Sequence, residues 1–397
     1  MSLRRPSAIQ LLVLGCVGIA LFVIAVLVPA VAGFEVPHPD SPQGATVKGR
    51  IDDVLERRTV PSGRGDLEQE RLSVAVDGQL VIVERTRAAG DIGRLDVEPG
   101  DRVLLVKVAG PDGDTYLILD RVRQTTLLWL GLAFVLIVLV IGRLVGATSL
   151  LGLAASLVVL LRFIVPGILS GHNPVLISVT GALVIMAATL FLAHGVNRKT
   201  AVALAGTVAS LLLTALLATV ALSAAQITGV ASEDAATLQV LSAGNISASG
   251  LLLGGIVIGA LGVLDDVTVA QASAVSELRR ANPLLGPIEL YRRAMNVGRD
   301  HIAATVNTLV LAYAGASLPL IMLLAIQGDP ISIQLNREFI AIEVVRTLVG
   351  SIGLVAAVPF TTFIAALMAR PPSADERPAP AGITGGAESP QPDSAVH

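Results

Sequence analysis

Two adjacent carboxylates, Asp265 and Asp266, lie near the end of an apolar stretch that begins at Gly250. A charged group is costly inside a bilayer, so a carboxylate in a membrane span is by default a candidate for binding a proton or a cation. Neighbouring side chains on a helix point about 100° apart. Both acids therefore reach one cation only if the helix is broken there or the site spans two helices, and Gly259 and Gly262 favour a break. Burial and mutual repulsion would favour proton uptake.

The alternative interpretation of this pair is that both carboxylates already meet water at the inner membrane surface. Thr268 and Gln271 follow on the same helix. They are either further members of an ion-coupling site or the polar continuation of the helix into water.

Other polar residues interrupt the later apolar runs. Asn307 and Tyr313 bring hydrogen-bonding groups into one run and are candidates to line a solute path. Arg162 interrupts another run, and Glu343 and Arg346 enter the last one. An ion pair between Arg162 and Glu343 is expected near the outer surface, as a packing clamp or an outer gate. Such groups can also serve only to join helices to one another.

The runs that carry these residues are long enough to cross a membrane. Of 397 residues, 53% are hydrophobic and 15% are charged, whereas soluble proteins are about 45–50% apolar and ~25% charged. A spanning helix needs about 20 apolar residues. Eight runs meet this length: 9–31, 126–146, 148–169, 174–195, 200–224, 249–271, 303–326 and 346–369. If the N-terminus is cytoplasmic, lysine and arginine near the span ends concentrate on that same side of the membrane. This asymmetry predicts a multi-pass protein of the cell (inner) membrane with both termini in the cytoplasm.

The chain divides into four predicted parts. They are an N-terminal membrane anchor (1–34), an extracytoplasmic all-β domain (35–124), a seven-span membrane domain (125–369) and a disordered cytoplasmic tail (370–397). The anchor ends in Ala30-Val31-Ala32, which resembles a signal-peptidase site. Its apolar run is longer than the ~7–15 residues of a signal peptide, which favours an uncleaved anchor.

Two connecting segments carry further predictions. Arg292, Arg293 and Arg299 lie in the cytoplasmic segment 283–300, where they are candidates to contact anionic lipid from an interfacial helix. The alternative is simple anchoring by the positive-inside rule. In the outer loop, Ser232-Glu233-Asp234 could cap a short helix that reaches Leu241.

The extracytoplasmic domain has apolar runs of strand length. Asp77-Gly78 separates Leu72–Val76 from Leu80–Val83, which is a strong hairpin signal. Five short strands predict a small OB-like barrel, with an open β-sandwich as the alternative. OB barrels often bind nucleic acid through stacked aromatic residues. Tyr116 is the domain's one aromatic residue beyond Phe34, so we expect no nucleic acid and instead an interaction or gating module.

Motifs for enzyme chemistry are weak, and the sequence predicts no enzyme, no cofactor and no metal site. Gly262–Asp266 is similar to a stretch of polyprenyl-phosphate sugar-phosphate transferases, in which an Asp pair works with Mg²⁺. The accompanying Asn-x-x-Asp-Gly stretch and histidine cluster are absent from this sequence, and so is a Walker lysine motif. A single cysteine, Cys16, excludes an intrachain disulfide.

Several motifs resemble the YibE/F-like membrane proteins. They are Gly262–Thr268, Gly298–His301, Asn307–Leu309, Ala312–Gly315, Ser317–Leu320 and Gly350–Leu354. The resemblance extends from the β domain through the last span, and it implies a multi-pass membrane protein of the transporter or permease type.

Together, these features favour a proton- or cation-coupled secondary transporter in a lipid bilayer, acting on an unknown small solute or ion. The alternative is a non-catalytic envelope scaffold or sensor whose β domain binds an extracytoplasmic protein partner. A polyprenyl-phosphate-handling enzyme is the least favoured interpretation.

Overall fold

The computed structural model describes residues 45–61, 66–88, 96–110, 113–242 and 244–369. The chain separates into two compact units, one ending at Leu151 and the other continuing from Gly152. The predicted anchor, including the span 9–31, and the predicted tail 370–397 lie outside the described residues.

The first unit contains a five-stranded antiparallel sheet. Its strands are β1 (Thr46–Val60), β2 (Leu67–Val76), β3 (Gln79–Ala88), β4 (Arg102–Gly110) and β5 (Gly113–Arg121), in the spatial order β3-β2-β1-β4-β5. The predicted hairpin is confirmed, because Val76 pairs with Gln79 across a two-residue turn. Asp77 and Gly78 both take positive φ, at 49° and 85°, as the favoured type of tight hairpin turn requires.

Alternating side chains of the sheet form a small apolar core with one buried acid. Leu72, Val74 and Leu105 are fully buried on the inner face. The Glu70 side chain is also fully buried, and it pairs with Arg57 at 2.8 Å and with Arg85 at 2.5 Å. These ion pairs compensate the cost of taking a carboxylate out of water.

The predicted barrel is wrong, because the sheet is not closed. β3 and β5 are its two edge strands, and no ladder of hydrogen bonds joins them in the described residues. Closure needs pairing between strands far apart in sequence, and no turn motif specifies such a pairing. The outer face of the edge strands carries exposed leucine and isoleucine side chains, at Leu80, Ile82, Leu117 and Leu119.

The helices that follow carry most of the apolar sequence. They are α1 (Gln124–Val159), a wide π-helical turn (Leu160–Ile164), α2 (Val165–Leu169), α3 (Pro174–His194), α4 (Arg198–Ala224), α5 (Glu233–Leu241), α6 (Ala248–Ala281), α7 (Pro287–Ala316), α8 (Leu318–Gln327), α9 (Ile331–Gln334) and α10 (Glu338–Met368). Side-chain caps fix several starts: Asn173 caps α3, Asn197 caps α4 and Ser247 caps α6. Ser232 caps α5, as the sequence suggests.

Seven of the eight predicted spans lie in the described residues, and the helices there give a smaller number of spans. Within the described ranges, five helices are long and apolar enough to cross a membrane, or six if α7 and α8 form one span bent by 66°. The predicted spans 126–146 and 148–169 fall in one helical run of 46 residues, Gln124–Leu169. The run changes direction at Arg143, whose backbone is not helical (φ 50°, ψ −128°). Arg143 directly follows Gly142 and lies close to the boundary predicted between these two spans, so the sequence located the break approximately.

The second unit is a helical bundle built around α6. This helix packs against α3, α4, α7 and α10, and α10 also packs against α4 and α7. The largest apolar core joins side chains of all these helices, including Met186, Leu211, Ile256, Leu264 and Leu354. α6 is therefore the element that positions Asp265, Asp266, Thr268 and Gln271.

Candidate functional site

Asp265 lies on the side of α6 that faces α3. Its Oδ2 accepts a hydrogen bond from the Thr189 hydroxyl at 2.9 Å. Its Oδ1 is buried, and no hydrogen-bond partner for it occurs in the described part of the chain. The Thr189 oxygen is also 3.1 Å from the Met186 carbonyl oxygen. One carboxylate oxygen is thus buried without compensation, which is a costly arrangement for a charged group.

Asp266 is exposed, although it is the next residue along the chain. α6 runs unbroken from Ala248 to Ala281, so the break that the sequence suggested near Gly259 and Gly262 does not occur. The two carboxylates leave the helix in different directions, and α6 alone does not bring them to one cation. Only Asp265 faces the helical bundle.

Thr268 and Gln271 are buried and tie α6 to its neighbours. The Thr268 hydroxyl lies 2.7 Å from that of Thr207 in α4. Gln271 Nε2 donates to the Ala294 carbonyl oxygen of α7 at 2.9 Å and to the Thr362 hydroxyl oxygen of α10 at 2.7 Å. These contacts give both side chains a packing role, and their burial does not agree with the interpretation that they continue α6 into water.

Glycines opposite hydroxyl side chains let the helices approach closely. A Cβ atom at Gly206 of α4 would lie 2.1 Å from Thr361 Oγ1 and 3.1 Å from Thr361 Cα in α10. At Gly353 of α10 it would lie 2.0 Å from Thr214 Oγ1 in α4. Small residues at helix interfaces are typical of membrane bundles, because packing replaces the hydrophobic driving force there.

A second set of glycines on α6 faces open space. Gly255 and Gly262 are exposed, and a Cβ atom at either would meet nothing within 4 Å. Between them, a Cβ at Gly259 would lie 3.3 Å from the Tyr313 hydroxyl of α7. Together with exposed Asp266 they form what we term the open face of α6. The structure therefore puts Tyr313 over this face, whereas Asn307 is exposed on α7.

The open face leads to a cavity of about 680 Å³ where α5, α6, α8 and α10 begin. Gly255, Asp234, Glu343 and Arg346 are among its lining residues. Arg346 Nη1 donates to Glu343 Oε1 at 2.7 Å. Glu343 therefore pairs with a residue of its own helix rather than with Arg162, which is exposed on the π-helical turn.

A glutamate fixes the loop beside this cavity. Glu338 Oε1, at the start of α10, accepts hydrogen bonds from the Thr228 backbone N–H at 2.8 Å and the Gly229 backbone N–H at 2.7 Å. The Thr228 hydroxyl also donates to it, at 2.8 Å. Gly229 lines the cavity, so this contact holds one of its walls.

The predicted lipid-contact arginines all lie on α7, which begins at Pro287 and continues without a break into the predicted span. Arg292, Arg293 and Arg299 are exposed. Arg293 pairs with Glu289 at 2.8 Å, and Arg299 donates to the Asn296 side chain at 3.2 Å. The predicted interfacial helix is thus the first part of α7 rather than a separate element.

Metal ligands do not converge in the described ranges, where no three His, Cys, Asp or Glu side chains come together. Two residues of the site, Thr189 and Glu338, were not singled out from the sequence, and Asp234 was named only as part of a helix-capping segment. A lone threonine in an apolar span and acids in the first turns of helices give no signal of which neighbour they will meet. Their contacts depend on the packing of α3 on α6 and of the loop between α4 and α5 on α10.

Long apolar helices, packed through glycines and buried hydroxyls, define a multi-pass membrane protein. The sequence pattern of the YibE/F-like protein family matches residues 130–371, and the chain belongs to this family. No curated protein and no solved structure matches the chain. The family match begins after the β domain, so it covers less of the chain than the resemblance expected from the sequence.

Proposed function

We propose that this protein is a proton- or cation-coupled secondary transporter in which Asp265 is the coupling group. The observation that carries the proposal is the buried Oδ1 atom of Asp265, which has no partner in the described structure. A proton or a small cation would supply the missing partner and remove the cost of burying a charge. Reversible uptake of this kind is the elementary step of ion coupling.

The contact between Thr189 and Asp265 can form with either the ionised or the protonated carboxyl group of Asp265. The hydroxyl has one hydrogen, and it lies within hydrogen-bond distance of both Asp265 Oδ2 and the Met186 carbonyl. When the carboxyl is ionised, Thr189 donates to Oδ2. When the carboxyl is protonated, Thr189 accepts from it and donates to Met186. Thr189 can therefore pair with the Oδ2 atom in either state without a change of backbone, while the Oδ1 atom still lacks a partner when the carboxyl is ionised.

The open face of α6 supports a solute path. It extends from Gly255 at the 680 Å³ cavity to Asp266, and eleven residues of helix span roughly 16 Å. A solute that moves past Gly255, Gly259 and Tyr313 would come close to the helix turn that holds Asp265.

The arginines of α7 and the distribution of charge between the spans support a location in the cell (inner) membrane. In this arrangement the β domain lies outside, both termini lie inside, and Arg292, Arg293 and Arg299 lie near lipid headgroups.

The coupling step can be tested without knowing the solute. We expect the full chain, reconstituted in liposomes on a solid-supported membrane, to give a transient charge displacement after a pH jump or a Na⁺ jump. Asp265→Asn should abolish the displacement that wild type gives, and Thr189→Val should shift its dependence on pH or Na⁺. Asp266→Asn should retain the displacement, because Asp266 borders the solute path but is not the buried group that takes up the ion.

Glu277→Gln is the matched control, because Glu277 is an exposed acid later on α6 that pairs with Arg280. Its displacement should equal that of wild type. A full displacement in Asp265→Asn, with Glu277→Gln unchanged, would contradict the proposal. Circular dichroism and gel filtration of each variant confirm that only folded protein is compared.

The alternative function is a scaffold or sensor whose β domain binds a protein partner outside the membrane. It is favoured by the exposed apolar side chains on β3 and β5, namely Leu80, Ile82, Leu117 and Leu119. The same experiment separates the two functions, because a scaffold gives no charge displacement in wild type with any pH or Na⁺ jump.

A further inference from the structure

Two adjoining cavities meet at Glu343. The larger, of about 680 Å³, and a smaller one of about 290 Å³ share Ser317, Leu320 and Glu343 in their linings. Both lie beside the bend between α7 and α8. Ligand cavities typically have volumes of about 300–1,000 Å³ and combine apolar walls with a few polar groups. The joined space, which we term the α8 cavity, fits that description.

The charged residues that line the α8 cavity have a net negative charge. They are Asp234, Glu343 and Arg346. Glu343 and Arg346 neutralise each other through their 2.7 Å ion pair. Asp234 is exposed, and no ion pair involves it in the described part of the structure. One uncompensated negative charge therefore remains at the larger cavity.

Two of the chain's few aromatic residues also lie here. Aromatic residues make up 3% of the sequence, yet Phe339 lines the larger cavity and Tyr313 the smaller one. Aromatic faces attract organic cations, most strongly where water is excluded. The remaining wall is largely leucine and isoleucine, including Leu320, Leu323 and Ile342, which favours an apolar body on the ligand.

The N-termini of the helices around the cavity carry partial positive charges, which favour an anion, but more weakly than the acidic side chains favour a cation. α5, α6, α8 and α10 all begin at its wall, and a helix N-terminus carries roughly half a positive charge. In the first turn of α6 the Ser247 hydroxyl accepts a hydrogen bond from the Gly250 N–H, and Pro319 in the first turn of α8 has no N–H, which weakens the partial charge of these two helices. Asp234 lies in the first turn of α5, and Glu338 is the first residue of α10. Each full negative charge exceeds the partial charge of its own helix. The balance therefore favours a cation over an anion.

We propose that the α8 cavity binds an amphipathic organic cation carrying a single positive charge. Asp234 and Glu343 attract the charge, Tyr313 and Phe339 contact it through their ring faces, and the leucine wall covers the apolar part. Arg346 opposes binding, because it competes with the ligand for Glu343. This is a statement about binding at a site distinct from Asp265, and it goes beyond the proposed coupling function.

Three probes of nearly equal shape test the charge preference. We use radiolabelled tetraphenylphosphonium, neutral tetraphenylmethane and the anion tetraphenylborate, with equilibrium dialysis against the purified full chain in detergent and protein-free micelles as background. We expect saturable binding of tetraphenylphosphonium above that background. Binding of the neutral and anionic probes should be weaker.

Single substitutions then assign the binding to this cavity. Asp234→Asn should weaken tetraphenylphosphonium binding by about fivefold, as the loss of one exposed charge about 4 Å away in a water-like dielectric predicts. Arg346→Gln should strengthen it by a similar factor, a direction that a merely structural role would not give. Glu277→Gln, which removes an acid remote from the cavity, should change nothing.

Preferred binding of the anionic probe would overturn the proposal, and so would equal affinity for all three probes. An unchanged affinity in Asp234→Asn would place the probe elsewhere and overturn it as well. The Asp265→Asn variant should bind tetraphenylphosphonium like wild type, so failure of the coupling proposal and failure of this one are separable.

Discussion

Gly206→Ala is the substitution for which the structure predicts the clearest loss of stability. The added methyl group would lie 2.1 Å from Thr361 Oγ1, 2.9 Å from its Cβ and 3.1 Å from its Cα. A rotation of the Thr361 side chain removes only the first contact, because the other two atoms are fixed by the backbone of α10. The α4 and α10 helices must therefore separate.

The magnitude follows from a comparison with Gly262→Ala. Both substitutions occur inside long helices, so both gain the helix propensity of alanine, about 1 kcal/mol. At Gly262 the new methyl group meets nothing within 4 Å, and its variant keeps that gain. At Gly206 the cost of overpacking, about 1–3 kcal/mol, is added. The gain cancels in the difference between the two variants, which isolates the packing cost.

Thermal unfolding in detergent, followed by far-ultraviolet circular dichroism, measures this difference. At about 2–4 °C per kcal/mol, Gly206→Ala should melt roughly 2–12 °C below Gly262→Ala. Gly353→Ala should fall between them, because rotation of the Thr214 side chain relieves its closest contact and leaves the fixed Thr214 Cβ at 3.2 Å, with no contact to the backbone. Equal melting temperatures for Gly206→Ala and Gly262→Ala would refute the close approach of α4 and α10.

Two further predictions concern buried polar groups. Gln271→Leu removes the donor to the Ala294 carbonyl and the Thr362 hydroxyl, so the free energy of unfolding in detergent should fall by about 1–3 kcal/mol. Asn307→Leu is the exposed control, and an equal or smaller loss of stability in Gln271→Leu than in this control would contradict the prediction. Glu70→Gln removes the acid that pairs with Arg57 and Arg85 and should cost about 3 kcal/mol. Hydrogen exchange in β2 measures that loss, and unchanged protection there would show that the ion pairs contribute little.

Local signals in the sequence predicted local structure well. Asp77-Gly78 predicted a two-residue hairpin turn, and both residues adopt the positive φ that this turn requires. Ser232 predicted the start of α5. In each case, the residues that specify the structure are neighbours in the chain, so no tertiary information is needed.

Long-range structure was predicted less well. Closure of the sheet depends on pairing between β3 and β5, which no short motif specifies, and the sheet is open. The number of spans in the described residues was also predicted less well. Hydropathy placed a boundary between two spans close to the break at Arg143, but it does not show that one helical run continues across that break from Gln124 to Leu169.

The candidate site shows the same division between local and long-range information. The sequence identified Asp265 and Asp266 as a pair, and helical geometry alone predicts that they diverge. Which of them faces the bundle depends on where α3 packs, and Thr189 makes that contact from 76 residues away. Thr268 and Gln271 lie farther along α6, and their side chains form hydrogen bonds with α4, α7 and α10. The hydrogen bonds of Thr268 and Gln271 hold the helices together, whereas the Oδ1 atom of Asp265 makes no hydrogen bond in the described structure. The experiments above therefore test Asp265.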